Sequence, residues 1–284
     1  MRILVTGGTG QLGRALARLA PDYHTVVALG SDACDVADPD AIRRVIDRER
    51  PELIIHSAAM TDVDGCEREP ERAYRVNAAG TAYLASAARE SGAALVYIST
   101  NYVFDGESDT AYHEFAAVNP ISVYGHSKLA GEEAVRALCP RHAIVRTAML
   151  YDESGRNFVN TMLRLAASRP AISVVADQFG NPTYAGDLAV AIYQLIARRA
   201  AGTFHLVNQG SASWHEWASE IFRLTDVNVS VEPIPASAYQ RDARPPRNGA
   251  LVSLTAPAFG IEMPDWTDAL RRCLDRRAAL SSVQ

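Results

Sequence analysis

Ile3-Leu4-Val5-Thr6-Gly7-Gly8-Thr9-Gly10-Gln11-Leu12-Gly13 is an apolar run, a glycine-rich turn and the start of an amphipathic pattern in immediate succession. The apolar run reads as a buried strand, and the spacing predicts a helix over 12–19. Glycines at 7, 10 and 13 leave side chains out where the chain turns. That absence permits a tight turn and a close approach of backbone to a pyrophosphate, while the helix N-terminus supplies N–H donors and a positive dipole end. Taken alone, the triplet could be an ordinary strand-to-helix turn. At the first strand of an alternating α/β chain it predicts dinucleotide binding, with Gly7, Gly10, Gln11, Leu12 and Gly13 as the cradle.

The alternation continues outward. Short runs at Thr25–Leu29, Leu53–His56, Ala94–Ser99 and Ala143–Arg146 are nearly all apolar, as parallel strands covered on both faces must be. Between them the pattern predicts helices over 39–49, 70–90 and 123–138. The expected fold is α/β: a Rossmann-like doubly wound parallel sheet over residues 1–150, followed by a smaller mixed α/β C-terminal substrate lobe over 151–284, with room for return segments from the later chain. Helices near 157–168, 186–199, 213–225 and 265–277 belong to this second part. Pro233, Pro235, Pro245 and Pro246 punctuate a loop-rich stretch within it. A substrate would lie between the lobes.

Composition narrows the function. The chain has 284 residues, 48% hydrophobic and 21% charged, enough for a sizeable core, and its net charge of -5 gives no footprint for nucleic acid or an anionic membrane. No secretory leader is legible, and no run approaches the roughly 18 to 20 apolar residues that span a bilayer. A cytoplasmic protein is expected. The cysteines Cys34, Cys66, Cys139 and Cys273 are dispersed, without a C-x-x-C pair, so they read as buried thiols and not as a metal or redox centre.

About twenty residues beyond the glycines, where an acidic side chain would hold the adenine-side ribose, the sequence has Leu29-Gly30-Ser31-Asp32. Ser31 suits NADPH or NADH, and the choice stays open. Asp35 and Val36 could flank the adenine, although Asp35 is equally a solvated turn residue. The third strand runs into Ser57-Ala58-Ala59, whose small side chains allow close passage of a cofactor. His56 reads as a satisfied core histidine.

Tyr124 and Lys128 stand four positions apart at the start of a predicted helix and so share a face. A lysine ammonium favours tyrosinate, which predicts a lowered Tyr124 pKa and an acid–base role. Thr100, at the end of the fourth strand, can hydrogen-bond a substrate carbonyl; alternatively, Ser99 and Thr100 simply finish a strand. No G-x-S-x-G elbow accompanies them, which disfavours serine hydrolase chemistry.

The glycine triplet, Asn77 in Val76-Asn77, and the Tyr124/Lys128 pair together resemble extended short-chain dehydrogenases. Ser99-Thr100-Asn101-Tyr102-Val103-Phe104-Asp105-Gly106, Val145-Arg146-Thr147, Asn157-Phe158-Val159, Asp177-Gln178-Phe179-Gly180-Asn181-Pro182-Thr183 and Ala243-Arg244-Pro245-Pro246-Arg247-Asn248 are similar to signatures of the dTDP-4-dehydrorhamnose reductase branch. The resemblance implies NADPH- or NADH-dependent reduction of the C4 keto group of a nucleotide-diphosphate ketosugar. It makes Thr100, Tyr124 and Lys128 the catalytic set, and it adds Ala58, Ala59, Thr61 and Asn77 to Asp35, Val36 and the cradle as cofactor contacts. Tyr124 and Lys128 would touch the cofactor as well. Substrate contacts implied are Thr100, Asn101, Tyr102, Met149 and Asn157. A homodimer is compatible with it. Some members bind magnesium between subunits; no ligands for it are identified in this sequence, and no metal site is expected.

Three departures from the family pattern stand out. Asn101 replaces an aspartate beside the threonine, Met149 replaces a tryptophan, and the late loop has Arg244-Pro245 and Asn248-Gly249 where the family tends to have Arg-Arg and Asn-Ser. They point to a related but altered sugar. Two rival readings remain: an extended-family epimerase, and a non-catalytic NADP- or sugar-nucleotide-binding regulatory subunit. Retention of Thr100, Tyr124 and Lys128 together argues against the second.

Overall fold

The computed structural model describes residues 1–281. Strands β1 (Arg2–Thr6), β2 (Thr25–Leu29), β3 (Leu53–His56), β4 (Ala94–Thr100) and β5 (His142–Thr147) fall on the apolar runs. They form a parallel sheet in the order β2-β1-β3-β4-β5, which the strand Gly202–His205 extends beyond β5. Alternate residues leave opposite faces, and both faces are covered. Ile3, Val5, Ile55, Val96 and Val145 point into one core with Leu12 and Leu16 of helix α1 (Gln11–Arg18). Leu4, Ile54, Leu95 and Ile144 point into the other, with side chains of α2 (Pro39–Glu49), α5 (Gly80–Ser91) and α6 (Val123–Leu138). Each such side chain contributes roughly 1.5–3 kcal/mol by leaving water. This is why the runs lack the polar alternation of one-sided strands.

Between β3 and α5 the chain forms α3 (Val63–Arg68) and α4 (Pro70–Tyr74). The continuous helix predicted over 70–90 is interrupted: Arg75–Ala79 is a π-helical turn. Inside it Asn77 donates to the Met60 carbonyl at 3.1 Å and to Ser127 Oγ at 3.0 Å, and accepts from the Met60 amide at 2.8 Å. Tertiary partners outside the helix thus accompany the wider turn.

Past β5 the chain builds a second core. Helices α7 (Phe158–Ala166), α9 (Trp214–Thr225) and α10 (Trp266–Ser281) pack around Tyr151, Val159, Ile172 and Trp217, beside the parallel strand pair Ala171–Val175 and Ser230–Ile234. Helix α8 (Ala185–Ala197) and the strand Gly202–His205 return to the first core, where α8 side chains pack with those of α1. The four cysteines are buried and free. Among the described residues, no helix is long and apolar enough to cross a membrane.

Candidate active site

All the functional loops leave the carboxyl ends of the strands, and the chain reverses its order of winding between β1 and β3. A cleft of about 1160 Å³ opens there. Gly7, at φ 71°, lies so close to the β3 loop that a Cβ would stand 2.7 Å from the Ala58 amide nitrogen. The two loops therefore meet without side chains between them. Gly10 is different: its added Cβ would have only the Gly7 carbonyl oxygen nearby, at 3.2 Å, and would otherwise face open space.

Gln11, Leu12, Gly13, Ser31, Asp35, Val36, Ala58, Ala59 and Thr61 line this cleft with Gly7 and Gly10. Asn77 does not reach its wall. Its amide is occupied by Met60 and Ser127, one residue before Lys128, and so ties the β3 loop to α6. His56 is fully buried between Thr6 Oγ1 at 2.8 Å and Thr81 Oγ1 at 3.1 Å. Burial lowers its pKa to about 3, as expected of a neutral core histidine.

Ser122 caps α6 by accepting from the Gly125 amide at 3.1 Å, which sets Tyr124 in the first helical turn and Lys128 one turn later. Both face the cleft, as does Thr100 from the end of β4. Tyr124 and Thr100 stand on the same wall. The expected lowering of the Tyr124 pKa is not what this site shows: burial raises the phenol above its ordinary value, and Thr100 opposes this without reversing it. The ammonium of Lys128 points away to the Ile98 carbonyl oxygen at 2.7 Å. Burial holds Lys128 down to about 7, with Glu132 acting in the opposite direction.

Beneath these residues Glu132 is fully buried. It accepts from Ser99 Oγ at 2.6 Å and from Arg146 at 2.8 and 2.7 Å. Burial alone would raise its carboxyl; the Arg146 bonds and charge outweigh that and hold it below the usual range.

Asn101, Tyr102, Met149 and Asn157 also line the cleft. Asn157 spends its amide on the Asp152 carbonyl at 2.8 Å and Gln11 Oε1 at 3.1 Å, and its oxygen accepts from the Asn160 amide at the start of α7. It joins the second lobe to the glycine turn. Met149 adopts φ 44°, a strained region for a non-glycine residue, and lies against Gly180.

Sequence reasoning missed several wall residues. Thr147 Oγ1 is buried without a partner, and Arg72, Arg75 and Arg156 line the cleft. A neighbouring recess of about 530 Å³ is lined by Arg241, Arg244, Arg247 and Tyr239. The closely spaced arginines of the proline-rich loop were the available signal. Arg241, on the wall of this recess, donates to Asp64 Oδ1 at 3.1 Å.

Comparison with known proteins matches residues 1–279 to the family model described as RmlD substrate binding domain. A dTDP-4-dehydrorhamnose reductase of Aggregatibacter actinomycetemcomitans is 39% identical, over 95% of this chain and 97% of its own length. One from Sinorhizobium fredii is 40% identical, over 96% of each. The crystal structure of dTDP-4-dehydrorhamnose reductase from Bacillus anthracis in complex with NADP superposes with a TM-score of 0.94 at 40% identity, covering 97% of this chain and 99% of that one.

Proposed function

We infer the function from the premise that this chain belongs to the RmlD substrate binding domain family: it reduces the C4 keto group of a nucleotide-linked 4-keto-6-deoxyhexose with NADPH or NADH. One observation carries the reading. Thr100, Tyr124 and Lys128 stand on the wall of the same cleft as the glycine cradle, so a proton donor and a dinucleotide site face one space.

The chain fits a dinucleotide. Gly10 leaves open room where a Cβ would intrude, the N-terminus of α1 ends at the glycine turn, and the small side chains of Ala58 and Ala59 form the facing wall. Reduced nicotinamide, when bound, supplies the hydride that such a reduction requires. Gly7 to Gly13 would hold the pyrophosphate, and Ser31, Asp35 and Val36 the adenosine end. Tyr124, kept protonated by burial, would give its proton to the carbonyl oxygen. Thr100 would polarise that oxygen from the end of β4. Lys128 would steady the ribose and, when charged, favour the tyrosinate left behind.

The substrate's nucleotide end would lie in the recess of Arg241, Arg244, Arg247 and Tyr239, where guanidiniums suit a diphosphate and a phenol ring suits a base. The same reading assigns the chain to the cytoplasm and a homodimer as its assembly, which sedimentation would test. The deciding experiment offers dTDP-4-keto-6-deoxyhexoses with NADPH and, separately, NADH, following nicotinamide absorbance and the sugar product by NMR. Cofactor-linked reduction at C4 is expected. Tight dinucleotide binding with no turnover of any such ketosugar would overturn the reductase reading.

A further inference from the structure

Asn101 is 5% exposed, and both atoms of its amide are engaged within the protein. Its Nδ2 donates to the Gly249 carbonyl at 2.9 Å, and its Oδ1 accepts from Thr100 Oγ1 at 3.3 Å. Gly249 is held from the other side, donating through its amide to the Phe179 carbonyl at 2.8 Å. A Cβ at position 249 would overlap Asn101 Nδ2. The two positions therefore constrain each other. Only a side chain with a donor suits the Gly249 carbonyl, and only glycine leaves that donor its place. A carboxylate at 101 would set acceptor against acceptor in a buried site.

The loop has other anchors: Arg241 and the Ala243 amide both donate to Asp64 Oδ1, the Asn248 side chain donates to the Ser108 carbonyl, and the Arg247 carbonyl accepts from the Phe179 amide. The Arg244–Glu107 and Arg247–Asp109 pairs have both partners more than half exposed, and such pairs contribute little. The Asn101–Gly249 bond is buried and joins the loop to the residue beside Thr100.

We propose that Asn101 is a positioning residue: its bond to Gly249 fixes the far end of the loop whose residues 239–247 line the neighbouring recess, and thereby sets affinity for the sugar nucleotide. The two departures at 101 and 249 are then one adaptation. This rests on the reductase reading only for the identity of what lies in the recess.

The test uses the full chain with Asn101→Asp, Asn101→Ala, Gly249→Ala and the Asn101→Ala/Gly249→Ala double variant. Two readouts are taken: kcat and KM for the ketosugar, and the rates of tryptic cleavage after Arg241 and Arg247, resolved by mass spectrometry. Asn101→Asp and Gly249→Ala should each raise KM about tenfold, with the kcat of Gly249→Ala within about threefold of the native value, and both should speed cleavage. With Asn101→Ala already present, Gly249→Ala should add nothing, because the overlapping group is gone. Independent, multiplying effects of the two alanine substitutions would overturn the latch, as would unchanged KM and cleavage in Asn101→Asp. Loss of dinucleotide binding identifies a variant that has misfolded, and the remaining variants then decide. If the native chain turned over no ketosugar, the reductase reading would fail while the cleavage rates still tested the latch.

Discussion

Lys128 donates a hydrogen bond from its buried ammonium to the Ile98 carbonyl oxygen, 2.7 Å away, and lies 4.2 Å from the centre of the Tyr97 ring. Burial draws its pKa down to about 7. An unfolded lysine titrates at about 10.4, so between about pH 7 and 10 the unfolded chain binds a proton that the folded chain does not. Stability contributed by this site therefore rises with pH across that window and is lowest below it. Lys128→Met should remove the rise: the native melting temperature climbs relative to the variant's as pH increases. Turnover should fall by about a hundredfold or more. Parallel melting profiles across the window would show that Lys128 stays charged when folded.

Tyr124 is the group placed to hand over a proton, and burial keeps it protonated well above neutral pH. Tyr124→Phe preserves the ring that meets Tyr102 edge-on at 5.3 Å between centroids, so packing should survive. Ketosugar reduction should drop by about 10²- to 10⁴-fold. Dinucleotide affinity, measured by calorimetry, should stay within about threefold. Reduction within tenfold of the native rate would give the proton to another donor.

Most of the sheet was legible because strands buried on both faces must be written in unbroken apolar residues, as residues 53–55 and 143–145 are. The cradle was legible because its glycines are local. What escaped was non-local. The π turn at Arg75–Ala79 accompanies contacts of Asn77 with Met60 and Ser127, and the Asn101–Gly249 bond spans 148 positions. Tyr124 and Lys128 share one cleft wall, yet spacing could not reveal that Ile98 takes the ammonium. The direction of the Tyr124 shift followed burial and not the nearby charge. Strands of two residues, such as Leu150–Tyr151 and Thr183–Tyr184, are too short to leave a periodic signal.

Gly10 and Gly13 should separate by function when each gains a methyl group. Gly10 has φ -74° and an added Cβ facing the cleft, so Gly10→Ala should fold with a stability change below about 1 kcal/mol. Its dinucleotide affinity should fall by at least about tenfold, since the methyl occupies the approach to the backbone. Gly13→Ala instead overlaps the Gly7 carbonyl oxygen within the turn, and should lower the melting temperature before any ligand is added. Thermal shift with and without NADPH distinguishes them. Equal destabilisation of both apo variants would refute the separation.

Glu132 and Arg146 are 0% and 3% exposed at their side chains, and the guanidinium meets the carboxylate through two bonds. Glu132→Gln replaces one acceptor oxygen with an NH2 group that only donates, so one of the Arg146 N–H groups faces a donor and the buried cation loses its counter-charge. Breaking such a pair costs about 3–5 kcal/mol. Ser99 also donates to Glu132, and Ser99 precedes Thr100, so kcat should fall while dinucleotide affinity holds. The pH dependence gives a second check. The folded Glu132 carboxyl lies below its usual range, so its contribution is fully present above the unfolded value of about 4.3 and is lost as pH falls toward the folded one. Denaturant titrations should therefore show a wide gap between native and variant proteins at neutral pH, narrowing only in acid. A gap of the same size at every pH would mean that the carboxylate's charge contributes nothing and that the loss is one of packing.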